Sequence, residues 1–344
     1  MKKIAILGVF GDGAEFTTGQ AVKCNEIFQW SYGKYGEEQV VKVNSFEWKK
    51  HPFRLIVSLT SAYVNCKNMI VLPAQHGIKV FAPLLYYYNK IVHRRVHYVV
   101  IGGWLATFLE ENSRYKKYIQ SFSSTCVELK SLQEKLKCIG VQNAMYLPNF
   151  RKYNGCSAKA LQWKKHISVC TYSRVTEEKG ILSAIEICKR ANRMLGDLVV
   201  HLDIYGKIVE NFCEEFHFAV ECNKELVSYC GVKKSAESTQ ILQEYFALLF
   251  PTTYPGEGFA GTILDSFSAG VPVIASNWKY NPEIIEDGVN GLLYDYLDLD
   301  AAAKKIVQLY SNPELYIKIQ QGCYFSAQQY DTERVLASLD KMLF

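Results

Sequence analysis

Three charged residues stand at turns where an α/β protein can meet an anion. Arg174 and Lys179 lie in "YSRVTEEKG" (172–180), and Glu257 lies in "YPGEGFAGTILDSF" (254–267). Arg174 leaves the end of an expected strand and Lys179 sits where the next helix begins. Both cations and that helix's unpaired N–H groups can then point at one anion. A pyrophosphate suits them, the guanidinium binding two oxygens and the ammonium acting as a mobile point charge. Read alone, two solvated charges are the plainer reading. Glu257, between Gly256 and Gly258 ahead of an apolar helix, either rides an exposed turn or faces what binds at the helix's start. Thr262 and Asp265 form Thr-x-x-Asp, a helix-start capping box, so Asp265 either caps its own helix or accepts hydrogen bonds from ribose hydroxyls.

The elements that must position these residues follow one grammar, stated twice. "KIAILGVF" (3–10) reads as a strand, followed by "GDGAEFTTGQA" (11–21) and a helix to about Tyr32. Apolar runs stand at 53–59, 68–72, 96–101 and 121–127, and the last three are short and bounded as buried parallel strands are. "LPNF" (147–150) and the Gly-marked polar stretch after it predict a linker over 151–165. Strands then recur at 166–174, 198–206, 225–231, 245–251 and 271–276, with an amphipathic helix over 179–195. Strands alternating with helices predict two Rossmann-like parallel-sheet domains, 1–150 and 166–344, facing a central cleft. The C-terminal helix is expected to be able to pack back on the first domain.

A chain of 344 residues is too long for one ordinary core, which agrees with two domains. The start reads as a strand, not a signal peptide, and no run of eighteen apolar residues exists. The expectation is a cytoplasmic protein. Its eleven cysteines are odd in number and lack Cys-x-x-Cys spacing, so reduced, buried thiols are expected. No metal site is expected. Residues 1–155 carry 21 Lys and Arg against 10 Asp and Glu; residues 156–344 carry 18 against 24. The basic half is expected to face an anionic surface or partner. "GVFGDGAEF" fits neither the dinucleotide fingerprint nor a P-loop, although Gly11, Gly13 and Gly19 admit close backbone approach by a ligand.

Together these segments resemble the retaining GT-B glycosyltransferases of glycosyltransferase family 4 (group 1), of the bacterial capsule and O-antigen type. The resemblance runs through Arg174…Lys179-Gly180, "PTTYPGEGFAG" (251–261), Asp265, "GVPVIAS" (270–276) and "PEIIEDGVNGLLYD" (282–295), in order over about 120 residues. The first half matches more loosely, through its Gly-rich loop, "IGGWL" (101–105) and "LPNF". By that resemblance Glu257 contacts the donor sugar near its reacting face, and Arg174 and Lys179 hold the donor diphosphate. Gly258, Phe259, Ala260 and Gly261 line the donor site, joined by Gly11, Gly13 and Gly19. Asp265 stands where the family usually has the Glu that binds ribose, and is one methylene shorter. "NWKYNPEII" replaces the Gly-Gly that many members carry before Glu-Ile-Ile.

The resemblance implies a metal-independent hexosyltransferase with no cofactor, whose co-substrate is a nucleotide sugar, UDP-linked by first expectation. It implies transfer with retention to a saccharide or lipid-linked acceptor in surface polysaccharide synthesis, with no nucleic-acid partner. His76, Gly102 and Gly103 are the acceptor-side candidates, although capping a turn is the plainer role for His76. "IKVFAPLLYYYNKIVHRRVHY" (78–98) mixes tyrosines with Lys90, Arg94 and Arg95, which suits the headgroups of an anionic membrane or the solvated basic end of a core helix. Pro83 is expected to kink or start that helix. A nucleotide-sugar 2-epimerase of the same fold and a non-catalytic nucleotide-sugar-binding module are the alternatives.

Overall fold

The computed structural model describes residues 2–11, 18–46, 48–153, 155 and 165–344, and the chain divides into two compact units. One comprises Met1–Asn149 with Thr332–Phe344, the other Phe150–Asp331. Of the expected linker, residues 154 and 156–164 lie outside the described residues, as does Gly13.

The first unit is built on six parallel strands: β1 (Lys2–Gly8), β2 (Val40–Asn44), β3 (Cys66–Val71), β4 (Arg95–Val99), β5 (Ser124–Val127) and β6 (Ala144–Tyr146). Their order is β2-β1-β3-β4-β5-β6. Ile4, Ala5, Ile6 and Leu7 of β1 are all buried, because helices cover both faces of a parallel sheet. The apolar run 53–59 belongs to a helix, Pro52–Asn65. Pro52 pre-sets its first turn, and Leu55, Leu59, Ala62 and Tyr63 recur at helical spacing to bury one face. Helix Gln75–Ile91 begins at Gln75 and holds Pro83 in its interior, so Pro83 does not start it. Helix Thr332–Leu343 also belongs to this unit, burying Val335, Leu336, Leu339 and Leu343, while Trp30 Nε1 donates to Glu333 Oε2 at 2.9 Å.

The second unit repeats the plan with β7 (Ile167–Tyr172), β8 (Val200–Tyr205), β9 (Val227–Gly231), β10 (Ala247–Phe250), β11 (Val273–Ser276) and β12 (Gly291–Tyr294). The order is β12-β11-β10-β7-β8-β9, all parallel. From β7 the chain winds outward through β8 and β9, then returns to the other side of β7 as β10. The direction reverses between β7 and β10, and open α/β sheets bind ligands beyond the carboxyl ends of such a strand pair. Arg174 follows β7 and the "PTTYPGEG" loop follows β10. Helix Ile181–Leu195 packs beneath them through Ile181, Ala184, Ile185, Cys188 and Ala191.

The ten described cysteines carry free thiols, six of them buried. Among the described residues, no helix is long and apolar enough to cross a membrane.

Candidate active site

The loops after β7 and β10 are locked together at Gly180. It sits at φ +71, and a Cβ there would lie 2.0 Å from the carbonyl oxygen of Pro251. Only glycine lets the two loops approach this closely. Thr253 N donates to Glu178 O at 2.8 Å, and Thr176 Oγ1 accepts from Lys179 N at 3.2 Å, closing the short turn Glu177–Lys179. The Lys179 side chain is thereby delivered to the β10 loop.

There it meets Glu257. Lys179 Nζ lies 2.5 Å from Glu257 Oε2, with the two side chains only 11% and 8% exposed. Thr252 Oγ1 donates to the same carboxylate oxygen at 2.7 Å. Glu257 is thus buried and held through one carboxylate oxygen, which removes the exposed-turn reading. Arg174 and Lys179 gather about one ring: Arg174 Cζ is 5.4 Å and Lys179 Nζ 4.9 Å from the centroid of Tyr254. Gly256 allows that ring to fold over it, since a Cβ would meet Tyr254 at 2.9 Å. Trp278 Nε1 donates to Tyr254 O at 2.9 Å, and Ser276 Oγ to Thr252 O at 2.7 Å. The unusual "NWKY" stretch therefore props up the loop that carries Glu257.

Helix Gly261–Ala269 begins after Ala260, and no side chain caps it. The capping box expected from Thr262 and Asp265 is not formed: Thr262 Oγ1 is buried without a partner among the described residues, and Asp265 turns to Arg151 instead. Arg151 Nε lies 3.0 Å from Asp265 Oδ1. Its guanidinium lies against the helix's first residue, where a Cβ on Gly261 would stand 1.9 Å from Arg151 Nη2. A cation at the positive end of a helix is unfavourable by itself, and Asp265 offsets it. Burial pushes the Asp265 carboxyl above its usual range, opposed by Arg151 and by a hydrogen bond from Ser238. Nothing in the order of the sequence signalled Arg151, which is 114 residues from its partner. Phe259 is buried with its ring 4.9 Å from that of Tyr330, and Gly258 is buried beside it.

The remaining candidates lie in the first unit. Gly11 adopts φ +67, and Gly19 opens helix Gly19–Tyr35, capped by Thr18 Oγ1, which accepts from Ala21 N at 3.2 Å. His76 is exposed in the first turn of its helix. Gly102, at φ +87, donates its N–H to Glu128 Oε2 at 3.1 Å. The other oxygen of Glu128 lies 2.6 Å from Lys23 Nζ, and both side chains are almost wholly buried. This pair fixes the loop holding Gly102 and Gly103, and the sequence reading missed it. His93 and His97 stand four apart, but His93 precedes β4 and His97 lies within it, bonded through Nδ1 to Ser124 Oγ at 2.9 Å. Among the described residues, no group of three His, Cys, Asp or Glu is placed to hold a metal ion.

Residues 157–323 match the family described as glycosyl transferases group 1. The chain is 30% identical over 188 residues to the GtfA subunit of a UDP-N-acetylglucosamine–peptide N-acetylglucosaminyltransferase from Streptococcus pneumoniae serotype 4, covering 52% of this chain and 36% of that protein. It is 26% identical over 169 residues to O-antigen chain mannosyltransferase B from Escherichia coli, covering 47% and 39% respectively. It thus spans little more than a third of the length of these curated relatives. The crystal structure of Anabaena HepE in complex with UDP superposes with a TM-score of 0.78 at 16% identity, over 99% of each chain. Two six-stranded parallel sheets of this order give the chain the GT-B fold, and residues 157–323, within the stretch that carries the second sheet, match as a domain of the glycosyl transferases group 1 type.

Proposed function

We propose that this protein transfers a hexose from a nucleotide sugar, UDP-linked by first expectation, to a saccharide or lipid-linked acceptor in surface polysaccharide synthesis. The observation that carries the reading is the buried Lys179–Glu257 pair at the carboxyl ends of β7 and β10, with Arg174 beside it. Departure of a nucleoside diphosphate needs positive charge held in place before the bond breaks. Arg174 and Lys179 supply it without a metal ion, and Arg151 adds a third cation at the helix start. Glu257, one hydrogen bond from Lys179, offers a carboxylate to the sugar's hydroxyls and to the positive charge that grows at the anomeric carbon. With the acceptor on the leaving group's side, the departing phosphate takes the acceptor's proton and configuration is retained. Relatives named for N-acetylglucosamine and mannose transfer support a hexose donor.

The test is a panel of UDP-, GDP- and dTDP-sugars, with the melting temperature read for each. One nucleotide class should raise it by several degrees, and that donor should release nucleoside diphosphate faster once acceptor is added. Release at an equal rate without acceptor, with a changed sugar as product, would instead make the protein an epimerase.

A further inference from the structure

We infer that the outward faces of helices Pro52–Asn65 and Gln75–Ile91 form a docking surface for an anionic lipid bilayer. Helix Pro52–Asn65 is apolar on two opposite sides. Leu55, Leu59, Ala62 and Tyr63 face the core, while Phe53, Ile56, Val57 and Val64 are exposed along the other side, Phe53 to 82%. Those four positions share one stripe at 3.6 residues per turn. An ordinary surface helix is polar there.

The neighbouring helix does the same. Ile78, Phe81, Ala82 and Leu85 face the core, and Val80, Tyr87 and Ile91 are exposed opposite them, Ile91 to 80%. The two helices lie side by side, the Tyr63 and Tyr88 rings 5.2 Å apart and Thr60 Oγ1 2.7 Å from Tyr88 Oη. The exposed stripes thus belong to one layer of the first unit, and paired apolar stripes of this extent mark an interaction site.

Charge selects the occupant. From Trp48 to Leu109 the chain holds no Asp or Glu and eight Lys or Arg. Arg94 and Arg95 of the segment 78–98 also brace the fold: Arg94 Nε donates to Tyr63 O at 2.7 Å, and Arg95, though exposed, donates from Nη1 to Leu343 O at 3.0 Å. Lys49, Arg54 and Lys90 are exposed as well, two of them at the entrance and first turn of helix Pro52–Asn65. That turn carries no acid, although cations there oppose the helix dipole, so their placement does not serve the helix. A second copy of this chain would set the same cations against each other across a two-fold axis. Anionic headgroups accept them, while the exposed aliphatic and aromatic side chains enter the acyl boundary.

This inference rests on no part of the transfer reading, because lipid binding needs no turnover. The full chain is sedimented with vesicles of phosphatidylglycerol and phosphatidylethanolamine, and with vesicles of phosphatidylcholine alone. It should partition onto the anionic vesicles and lose about tenfold in partitioning when Phe53→Ser and Val57→Ser are combined. A similar loss should follow Lys49→Gln with Arg54→Gln, and raised salt should abolish the preference. Melting temperatures should stay unchanged, as all four side chains are exposed. Equal partitioning onto neutral vesicles, or undiminished binding of the Phe53/Val57 variant, would overturn the inference. So would absence of vesicle binding with a dimer that the same variant dissolves, which would give the face to a second copy.

Discussion

Lys179 Nζ and Glu257 Oε2 stand 2.5 Å apart although 78 residues separate them in the chain. Gly180 makes this possible, because the backbone after Lys179 passes so close to Pro251 that no side chain fits between them. The fold therefore brings a cation and a carboxylate to one point at the reversal of strand order. Breaking a buried pair by removing one partner leaves the other charge uncompensated.

The two cations near Tyr254 should consequently behave differently. Lys179→Ala should lower turnover at least about tenfold and also reduce stability by roughly 2–4 kcal/mol, since among the described residues Glu257's side chain then keeps only Thr252 as a partner. Arg174 is exposed, so Arg174→Ala should lower turnover to a similar degree with an unchanged melting temperature. Equal melting temperatures for both variants would show that the pair contributes nothing to the folded state.

Arg151 tests a different part of the site. Its guanidinium lies on the first turn of helix Gly261–Ala269 and holds Asp265 at 3.0 Å. A diphosphate at that helix start would meet the guanidinium directly. Arg151→Met should therefore weaken nucleoside diphosphate affinity about tenfold or more by calorimetry. Asp265→Asn should weaken nucleoside binding while sparing affinity for inorganic pyrophosphate, if Asp265 serves the ribose. Unaltered diphosphate affinity in Arg151→Met would confine Arg151 to holding Asp265.

The long strands and the Lys-Gly and Glu-Gly-Phe elements were legible because each depends on neighbours in sequence. β1 announces itself by the buried apolar run Ile4, Ala5, Ile6 and Leu7, β7 by Val169 and Cys170 at its centre, and β8 by the alternation of buried Val200, Leu202 and Ile204 with half-buried His201 and Asp203. β2, β6 and β12 did not: they have five, three and four residues, and the edge strand β2 buries only Val40 and Val43, three apart, which is not a strand period. The run 53–59 gave no clear type, since its two apolar faces together hide the helical period. Pairings across the fold were equally hidden. Nothing in "VKCNE" marks Lys23 as the partner of Glu128, and nothing in "LPNFR" marks Arg151 as the partner of Asp265. The Thr-x-x-Asp pattern suggested a cap because local bonding is the default reading, and a distant guanidinium overrode it.

His97 makes acid sensitivity calculable for the first unit. Burial, aided by the nearby Arg95 charge, lowers its pKa from 6.5 to about 4. The unfolded chain then binds more protons than the folded one between those values, so stability is full above pH 6.5 and is lost as pH falls towards 4. The loss amounts to roughly 3 kcal/mol at most. His97→Asn keeps an acceptor near Ser124 without titrating, so its urea midpoint should change less between pH 7 and 4.5 than that of the parent. Identical slopes would remove His97 as the source.

Glu257 carries the sharpest test. Its carboxylate is buried, takes hydrogen bonds from Lys179 and Thr252 on one oxygen, and precedes the helix whose start Arg151 occupies. A sugar joined to a diphosphate held by Arg174, Lys179 and Arg151 would come to rest against it. Glu257→Gln preserves shape and one acceptor oxygen but removes the charge. If the carboxylate acts on the charge that grows at the anomeric carbon, this variant should bind nucleoside diphosphate within a few-fold of the parent and lose most transfer, about a hundredfold in kcat. If the carboxylate only anchors Lys179, the variant should instead lose diphosphate affinity and turnover together. The product's anomeric configuration, read by NMR, should match the donor's. An inverted product, or a fully active Glu257→Gln protein, would overturn the role assigned to this residue.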